Sequence, residues 1–175
     1  MGFSVRVRIA SHAALIHLGL SALVAMAGGV LVFGIWYPFP YRQLAGGTEL
    51  FLLIVVVDVV CGPLLTMVLF SPHKGRRELV TDVGLVIFVQ LAALMYGLYS
   101  LAQARPVYLA YEVDRFRVVS TADIQAGELK PELGGFHQLP WLGPQIIGIR
   151  EPRDAEEKLK SLDLSLQGNE PSARP

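Results

Sequence analysis

The sequence predicts a helical membrane protein in which three transmembrane helices precede a small α+β domain. Three observations predict this fold class. Hydrophobic residues make up 53% of the 175 residues, charged residues only 17%, and the mean hydropathy is +0.47, which is too apolar for an ordinary soluble domain. Three stretches are long enough to cross a bilayer, which needs roughly 20 apolar residues. From residue 105 onward there are 9 Lys/Arg and 11 Asp/Glu, against 6 and 4 before it, so the boundary near residue 104 marks a change from lipid to water.

The membrane domain is expected to span residues 1–104, with helices at about 13–36, 50–70 and 79–101. A positive flank, an apolar run and an Ala25-Met26-Ala27 site also resemble a cleavable signal peptide. The apolar run continues past Ala27 to Trp36, which favours a retained helix. Either alternative places residue 40 on the far side of the membrane.

Basic residues in the short flanking segments predict the orientation of the helices. The N-terminal flank carries Arg6 and Arg8, the first loop carries only Arg42, and the second loop, SPHKGRRE, carries three basic residues. Because cytoplasmic loops are the positive ones, the N-terminus should be cytoplasmic. The domain after residue 104 is then outside the cell membrane, in the periplasm if the host is a Gram-negative bacterium.

The second helix contains an acidic residue inside the apolar run VVVDVVCGPLLTMVLF at residues 55–70. Helical spacing aligns Asp58 with Gly62 and Thr66 on one narrow face of small and polar residues, which lets another backbone approach closely. Pro63 removes a backbone hydrogen bond, so a kink is expected there. An ionisable side chain within a membrane helix needs a partner or a proton.

Three roles remain open for Asp58. It could bond to Gln90 of the third helix, or to backbone freed by Pro63, and hold the helices together. It could meet the transmembrane helix of another protein, or it could carry protons. A protease dyad is excluded, because Asp82 lies roughly 12 Å away along the membrane normal.

No catalytic residue, metal site or cofactor is predicted. The chain has a single cysteine, Cys61, and no phosphate-binding loop, serine-nucleophile motif or zinc-protease motif. The net charge is zero, so nothing indicates nucleic-acid binding. The sequence therefore indicates a protein that is not an enzyme and whose oligomeric state is open.

The predicted soluble domain covers residues 105–167, and residues 168–175 should form a disordered tail. PVYLAYEVDRFRVVS at 106–120 is expected to form a bent strand or a hairpin, with Val107, Leu109, Tyr111 and Val113 along one face. A capped turn should begin at Ser120. A second strand is expected near Ile146, and a helix should begin at Asp154. Two sets of apolar residues accompany these elements: loop anchors at Phe136, Leu139, Trp141 and Leu142, and a helix face at Leu159, Leu162 and Leu166.

Several motifs together resemble the TfpX/TfpZ family of type IV pilin accessory proteins, over roughly residues 10–160. They are WYP at 36–38, VVDVVCGPLLTMVLF at 56–70, Gln90 with the following YGLYSLAQARPVYLAYEVDRFRVV, and GP at 143–144. Asp58, Gly62, Pro63 and Thr66 match the membrane motif of that family. Its periplasmic motif is matched by Arg105, Pro106, Asp114, Arg115 and Phe116.

The resemblance implies a chaperone-like, non-enzymatic inner-membrane protein that helps a type IV pilin to accumulate and to assemble into pili. A pilin waits in the membrane with one apolar helix inserted and its globular head in the periplasm. The Asp58–Gly62–Thr66 face is then expected to meet the pilin helix, while residues 105–166 contact the head. The alternative from the residues themselves is a small proton-coupled transport component that uses Asp58.

Overall fold

The computed structural model describes residues 3–71, 74–112, 115–124 and 138–167. It confirms the predicted fold class, with three long apolar helices followed by a small region built around a three-stranded sheet. The stretches long and apolar enough to cross a membrane are Arg6–Trp36, Gly47–Leu69 and Arg76–Ala104. Each begins earlier than its predicted span, because polar turns, such as the one that begins at Arg76, continue a helix without adding to its hydrophobicity.

A π-helical turn ends the first span, and another interrupts the second. In chain order the helical elements are α1 (Phe3–Leu31), a π-turn (Val32–Trp36), α2 (Tyr41–Leu44), α3 (Gly47–Val56), a π-turn (Val57–Cys61), α4 (Gly62–Leu69) and α5 (Arg76–Ala104). The second π-turn contains Asp58 and ends immediately before Gly62 and Pro63.

Backbone contacts divide the chain into two compact units. The first, called here the helical unit, comprises the chain up to Val32 together with Thr48–Leu101. The second, the sheet unit, comprises Phe33–Gly47 together with the chain from Ala102 onward. The loop between the first two spans thus belongs with the sheet.

The helical unit is held together by small residues that face large ones. α1 packs against α4 and the second π-turn. A Cβ atom on Gly29 of α1 would lie 3.4 Å from Cζ of Phe51 in α3, and one on Gly97 of α5 would lie 2.6 Å from Cγ1 of Ile54. Such close approaches are typical of helix packing in lipid. Many large apolar side chains, among them Leu53 and Phe88, are exposed on the outer surface, where lipid would cover them.

The sheet has the strand order β2-β1-β3, with β1 at Pro106–Glu112, β2 at Arg115–Ser120 and β3 at Gln145–Gly148. β1 and β2 are antiparallel, with Glu112 opposite Arg115, and β3 runs parallel to β1. Of the two predicted alternatives for residues 106–120, the hairpin is correct.

The face of β1 predicted to carry Val107, Leu109 and Tyr111 is not uniformly buried. Val107 is buried, but the strand then buries Tyr108 and Ala110, while Tyr111 is 44% exposed. The register against β2 shifts between Pro106 and Tyr108. Because a bulge adds one residue to one strand, it changes which side chains point inward. Val113 lies outside the described residues.

The core of the sheet unit consists of Val107, Tyr108, Ala110 and Val119, and partly buried hydrophobic residues pack against it. Leu139 is one of these, so this expected loop anchor is confirmed. Leu142 is 77% exposed and is not a buried anchor. Phe136 lies outside the described residues.

Both predicted capped elements are present. The 3₁₀ turn Thr121–Asp123 has a capping box with Ser120, and α6 (Ala155–Leu166) begins at Asp154, whose Oδ1 accepts from Glu157 N at 2.8 Å. The expected apolar face of α6 is exposed at Leu159, Leu162 and Leu166. Residues 168–175 lie outside the described residues.

Candidate partner-binding site

The backbone carbonyl of Asp58 is positioned for a donor from another helix. In a π-helical turn a carbonyl accepts from the N–H five residues later, and for Asp58 that residue is Pro63, which has no N–H. Gln90 of α5 supplies the donor instead, with 2.9 Å from Nε2 to the Asp58 carbonyl oxygen. Neither of the two bonds expected for the Asp58 side chain is the one observed, because Gln90 bonds to the backbone carbonyl of residue 58.

Gly62 makes the approach of Gln90 possible. A Cβ atom at residue 62 would lie 1.9 Å from Gln90 Nε2, so any larger residue would displace the amide. Gly62 and Pro63 are both buried. Because Gly62 has no side chain, the Gln90 amide can reach the Asp58 carbonyl, which Pro63 leaves without a helical donor.

Thr66, one turn further along, bonds to a histidine that the sequence analysis did not select. Thr66 Oγ1 lies 2.6 Å from Nδ1 of His17 in α1, and Thr66 is 3% exposed. His17 is followed four residues later by Ser21, so its signal in the sequence was a polar i, i+4 pair in an apolar helix. Asp58, Gly62 and Thr66 therefore face the interior of the helical unit.

A groove of about 390 Å³ lies among the three spans of the helical unit. Its walls are mainly apolar side chains of α1 and α5. Its polar lining residues are His17, Ser21, Asp58, Thr66 and Gln90. We call it the interhelical groove.

Two buried acceptors at this groove have no hydrogen-bond partner in the structure. They are Oδ1 of Asp58, whose residue is only 8% exposed, and Oε1 of Gln90. An unsatisfied polar atom in a membrane interior is costly. The groove therefore favours a binding partner that is mainly apolar and has a hydrogen-bond donor.

Asp82 is paired elsewhere, with the ammonium group of Lys74. The carboxylate of Asp82 is therefore paired with a cation, whereas Asp58 lines the interhelical groove. Within the described ranges no group of three or more His, Cys, Asp or Glu side chains could hold a metal ion.

A second polar cluster lies in the sheet unit and joins residues that are far apart in the sequence. The guanidinium of Arg105 lies 4.4 Å from the ring centroid of Trp141, and Arg105 is 7% exposed. Tyr37 is fully buried, and a Cβ atom on Gly47 would lie 2.4 Å from its ring. Burial raises the pKa of Tyr37 to about 12, partly offset by the positive charge of Arg105. Burial likewise lowers the pKa of Arg105.

The WYP, ARP and GP segments, which are far apart in the sequence, all belong to the sheet unit. Gly143 N donates to the carbonyl of Ile35 at 3.1 Å, and Gly143 has a φ of 56°, a conformation that favours glycine. Pro106 begins β1 opposite Ser120 and is fully buried. The first loop is therefore a structural part of the sheet unit.

Two of the remaining predicted residues, Arg115 and Phe116, begin β2. Phe116 is 62% exposed, and its ring centroid lies 5.1 Å from that of Tyr111 at an interplanar angle of 50°. Arg115 is exposed at the start of β2. Asp114 lies outside the described residues. Phe116 and Tyr111 thus form an exposed aromatic pair.

Comparison with known proteins yields one family. The family model described as "Fimbrial assembly protein FimB" matches residues 5–46. The fimbrial assembly protein of serogroups C1 and C2 of Dichelobacter nodosus is 46% identical over 114 residues, which cover 65% of this chain and 87% of that protein. The serogroup E1 and serogroup I proteins of the same organism are each 42% identical over 160 residues, or 91% of this chain. The chain spans 62% of the length of these two relatives. No solved structure matches.

Proposed function

Because this chain belongs to the family of fimbrial assembly proteins, we propose that it stabilises a type IV pilin and supports assembly of the pilus. In this proposal it is a chaperone-like accessory protein and not an enzyme. The observation that carries the proposal is the 46% identity over 87% of a fimbrial assembly protein. The resemblance to TfpX/TfpZ proteins supports the narrower statement that the client is a pilin.

The proposed location is the bacterial inner membrane, with the N-terminus in the cytoplasm and the sheet unit in the periplasm. Support comes from the three apolar spans and from the excess of basic residues at the N-terminus and in the second loop. A client with one membrane helix and a periplasmic head could then be bound at two levels. The helical unit offers the interhelical groove, and the sheet unit offers exposed apolar side chains.

The sheet unit supports such a role through its surface. Phe39, Phe116, Trp141 and Ile146 are each more than 60% exposed. Aromatic and large aliphatic side chains are favoured at protein interfaces. β3 is also an edge strand of the sheet, and such an edge can pair with a strand of a partner.

A deletion strain tests the proposed function. We expect total pilin and surface pili to fall when the gene for this chain is deleted, and to return with the wild-type gene. Complementation with Phe116→Ala should restore less pilin than complementation with Arg117→Ala, a matched variant on the same strand. Pilin and pili unchanged by the deletion would contradict the proposal.

The alternative is a small proton-coupled transport component. The observation in its favour is that two ionisable side chains, His17 and Asp58, line the same groove. Proton-dependent transport by the purified chain in liposomes, lost in Asp58→Asn, would favour this alternative. A proton flux equal to that of empty liposomes would contradict it.

A further inference from the structure

We propose that the interhelical groove receives a transmembrane segment of a partner protein, and that this segment donates a hydrogen bond to Asp58 or Gln90. The identity of the partner as a pilus subunit rests on the proposed function. The inference differs from the sequence-based expectation, in which the Asp58–Gly62–Thr66 face meets a partner helix directly, because that face is turned inward.

The unpartnered acceptors define the chemistry of the occupant. Asp58 Oδ1 and Gln90 Oε1 are both buried acceptors, so an occupant must bring a donor to satisfy either of them. Thr66, which carries a hydroxyl on the same groove, is already within hydrogen-bond distance of His17. The occupant therefore carries a hydroxyl, amide or amine group at the depth of Asp58.

The shape of the groove fits side chains along one face of a membrane-embedded helix. On α1 its wall runs from Ala13 to Val24, and on α5 from Val83 to Leu94. Each wall covers about 16 Å at 1.5 Å per residue, so the groove is elongated along the helices. Because it lies among three membrane spans, a partner enters it from within the bilayer.

The groove opens sideways. Ile16 and Ile87 line it and are 58% and 45% exposed, so they mark its mouth on α1 and α5. An acyl chain would fit the apolar walls but brings no donor to the depth of Asp58. A protein helix brings both an apolar surface and polar side chains, and hydrogen bonds between such side chains stabilise helix association in membranes. This favours a protein helix over lipid.

Photo-crosslinking in intact cells tests the proposal. A benzophenone amino acid is placed at Ile16 or Ile87, at the mouth, and at the neighbouring Leu15 or Phe88 as controls. The controls are exposed to a similar or greater extent, at 62% and 68%, but do not line the groove. We expect one defined protein adduct from the two mouth positions and none from the controls.

Substitutions at Asp58 then test the hydrogen bond. Asp58→Leu should lower the adduct yield about three- to tenfold, whereas Asp58→Asn, which keeps an acceptor oxygen, should preserve most of it. If Asp58→Leu does not accumulate, Leu20→Trp provides a second variant that fills the groove without replacing Asp58. This variant should likewise lower the adduct yield.

The outcomes separate this inference from the proposed function. Adducts only with lipid, adducts with a second copy of this chain, or equal yields from mouth and control positions would each overturn the groove proposal. If pilin still falls in the deletion strain, the proposed function survives that result. A defined groove adduct with an integral membrane protein that is not a pilus subunit would support the groove and contradict its link to the pilus.

Discussion

At the scale of single residues, the second span combines an acid, a glycine and a proline in one arrangement. Pro63 leaves the carbonyl of residue 58 without its helical donor, Gln90 supplies one, and Gly62 leaves room for the amide. The contact between Gln90 and the second span therefore uses the backbone carbonyl of Asp58 and not its side chain. Asp58 lines the groove, and its Oδ1 is buried with no hydrogen-bond partner in the part of the chain that the structure describes.

Replacing Gly62 by alanine should destabilise the helical unit by about 1–3 kcal/mol, the usual cost of overpacking a tight site. The added methyl group would displace Gln90 and break its bond to residue 58. The thermal unfolding midpoint of the purified chain in detergent measures the effect. Gly84→Ala is the matched control, because nothing lies within 4 Å of a Cβ atom there.

The double variant Gly62→Ala/Gln90→Ala should regain part of the lost stability, because the clash is removed. An unfolding midpoint for Gly62→Ala at or above that of the wild type would contradict this view of the site.

Trp141 is expected to matter for the stability of the sheet unit although most of its surface is exposed. Trp141→Ala removes the ring beside the buried Arg105 and should cost about 0.5–2 kcal/mol. Leu142→Ala, its exposed neighbour, should change stability by less than about 0.5 kcal/mol. Chemical denaturation followed by circular dichroism distinguishes the two, and equal effects would argue against a role for the Arg105–Trp141 contact.

At the scale of elements, α6 begins with a cap and an ion pair. Arg150 Nη1 lies 3.0 Å from Glu157 Oε2, and Glu157 also accepts from the N–H of Arg153. These contacts lower the pKa of Glu157 to about 2, with the bond to Arg150 as the largest cause. Leu159, Leu162 and Leu166 of the same helix are exposed.

The pH dependence of α6 follows from the sign of this shift. Because the pKa of Glu157 is lower in the folded chain, its contribution to stability is present above its ordinary value of 4.5 and is lost as the pH falls toward 2. The carboxyl carbon-13 shift of Glu157 in the detergent-solubilised chain should titrate near pH 2. Arg150→Gln should raise that midpoint, and a midpoint unaffected by this change would exclude Arg150 as the cause.

The sequence was informative about elements but not about their contacts. The i, i+4 spacing identified the Asp58–Gly62–Thr66 face, and the capping patterns located the 3₁₀ turn and α6. Which way the face points depends on α5 and on His17 of α1, and no periodicity within the second span encodes that. The burial of both Val107 and Tyr108 in β1 was not predictable for a similar reason, since the register shift beside them belongs to the pairing with β2.

At the scale of the whole molecule, the chain combines three membrane spans with a sheet unit that also takes in the first loop. The motifs at 36–38, 105–106 and 143–144 predicted a family resemblance without explaining it. Their contacts in the sheet unit, such as that of Arg105 with Trp141, join segments that only the folded chain brings together. Composition alone was sufficient to predict the three spans.

The proposed orientation makes a direct prediction about the two loops. In a Cys61→Ser background, a cysteine at Gln43 should react with a membrane-impermeant maleimide added to cells with a permeabilised outer membrane. A cysteine at Gly75 should react only after the inner membrane is disrupted. The opposite pattern would invert the orientation and place the sheet unit in the cytoplasm.

The most direct test of the central claim is the half-life of the pilin, measured by pulse-chase labelling in the wild type and in the deletion strain. A stabilising accessory protein predicts that newly made pilin is degraded faster without it, and that the wild-type gene restores its lifetime. A pilin half-life that is the same in both strains would contradict the account, even if pilus number changed.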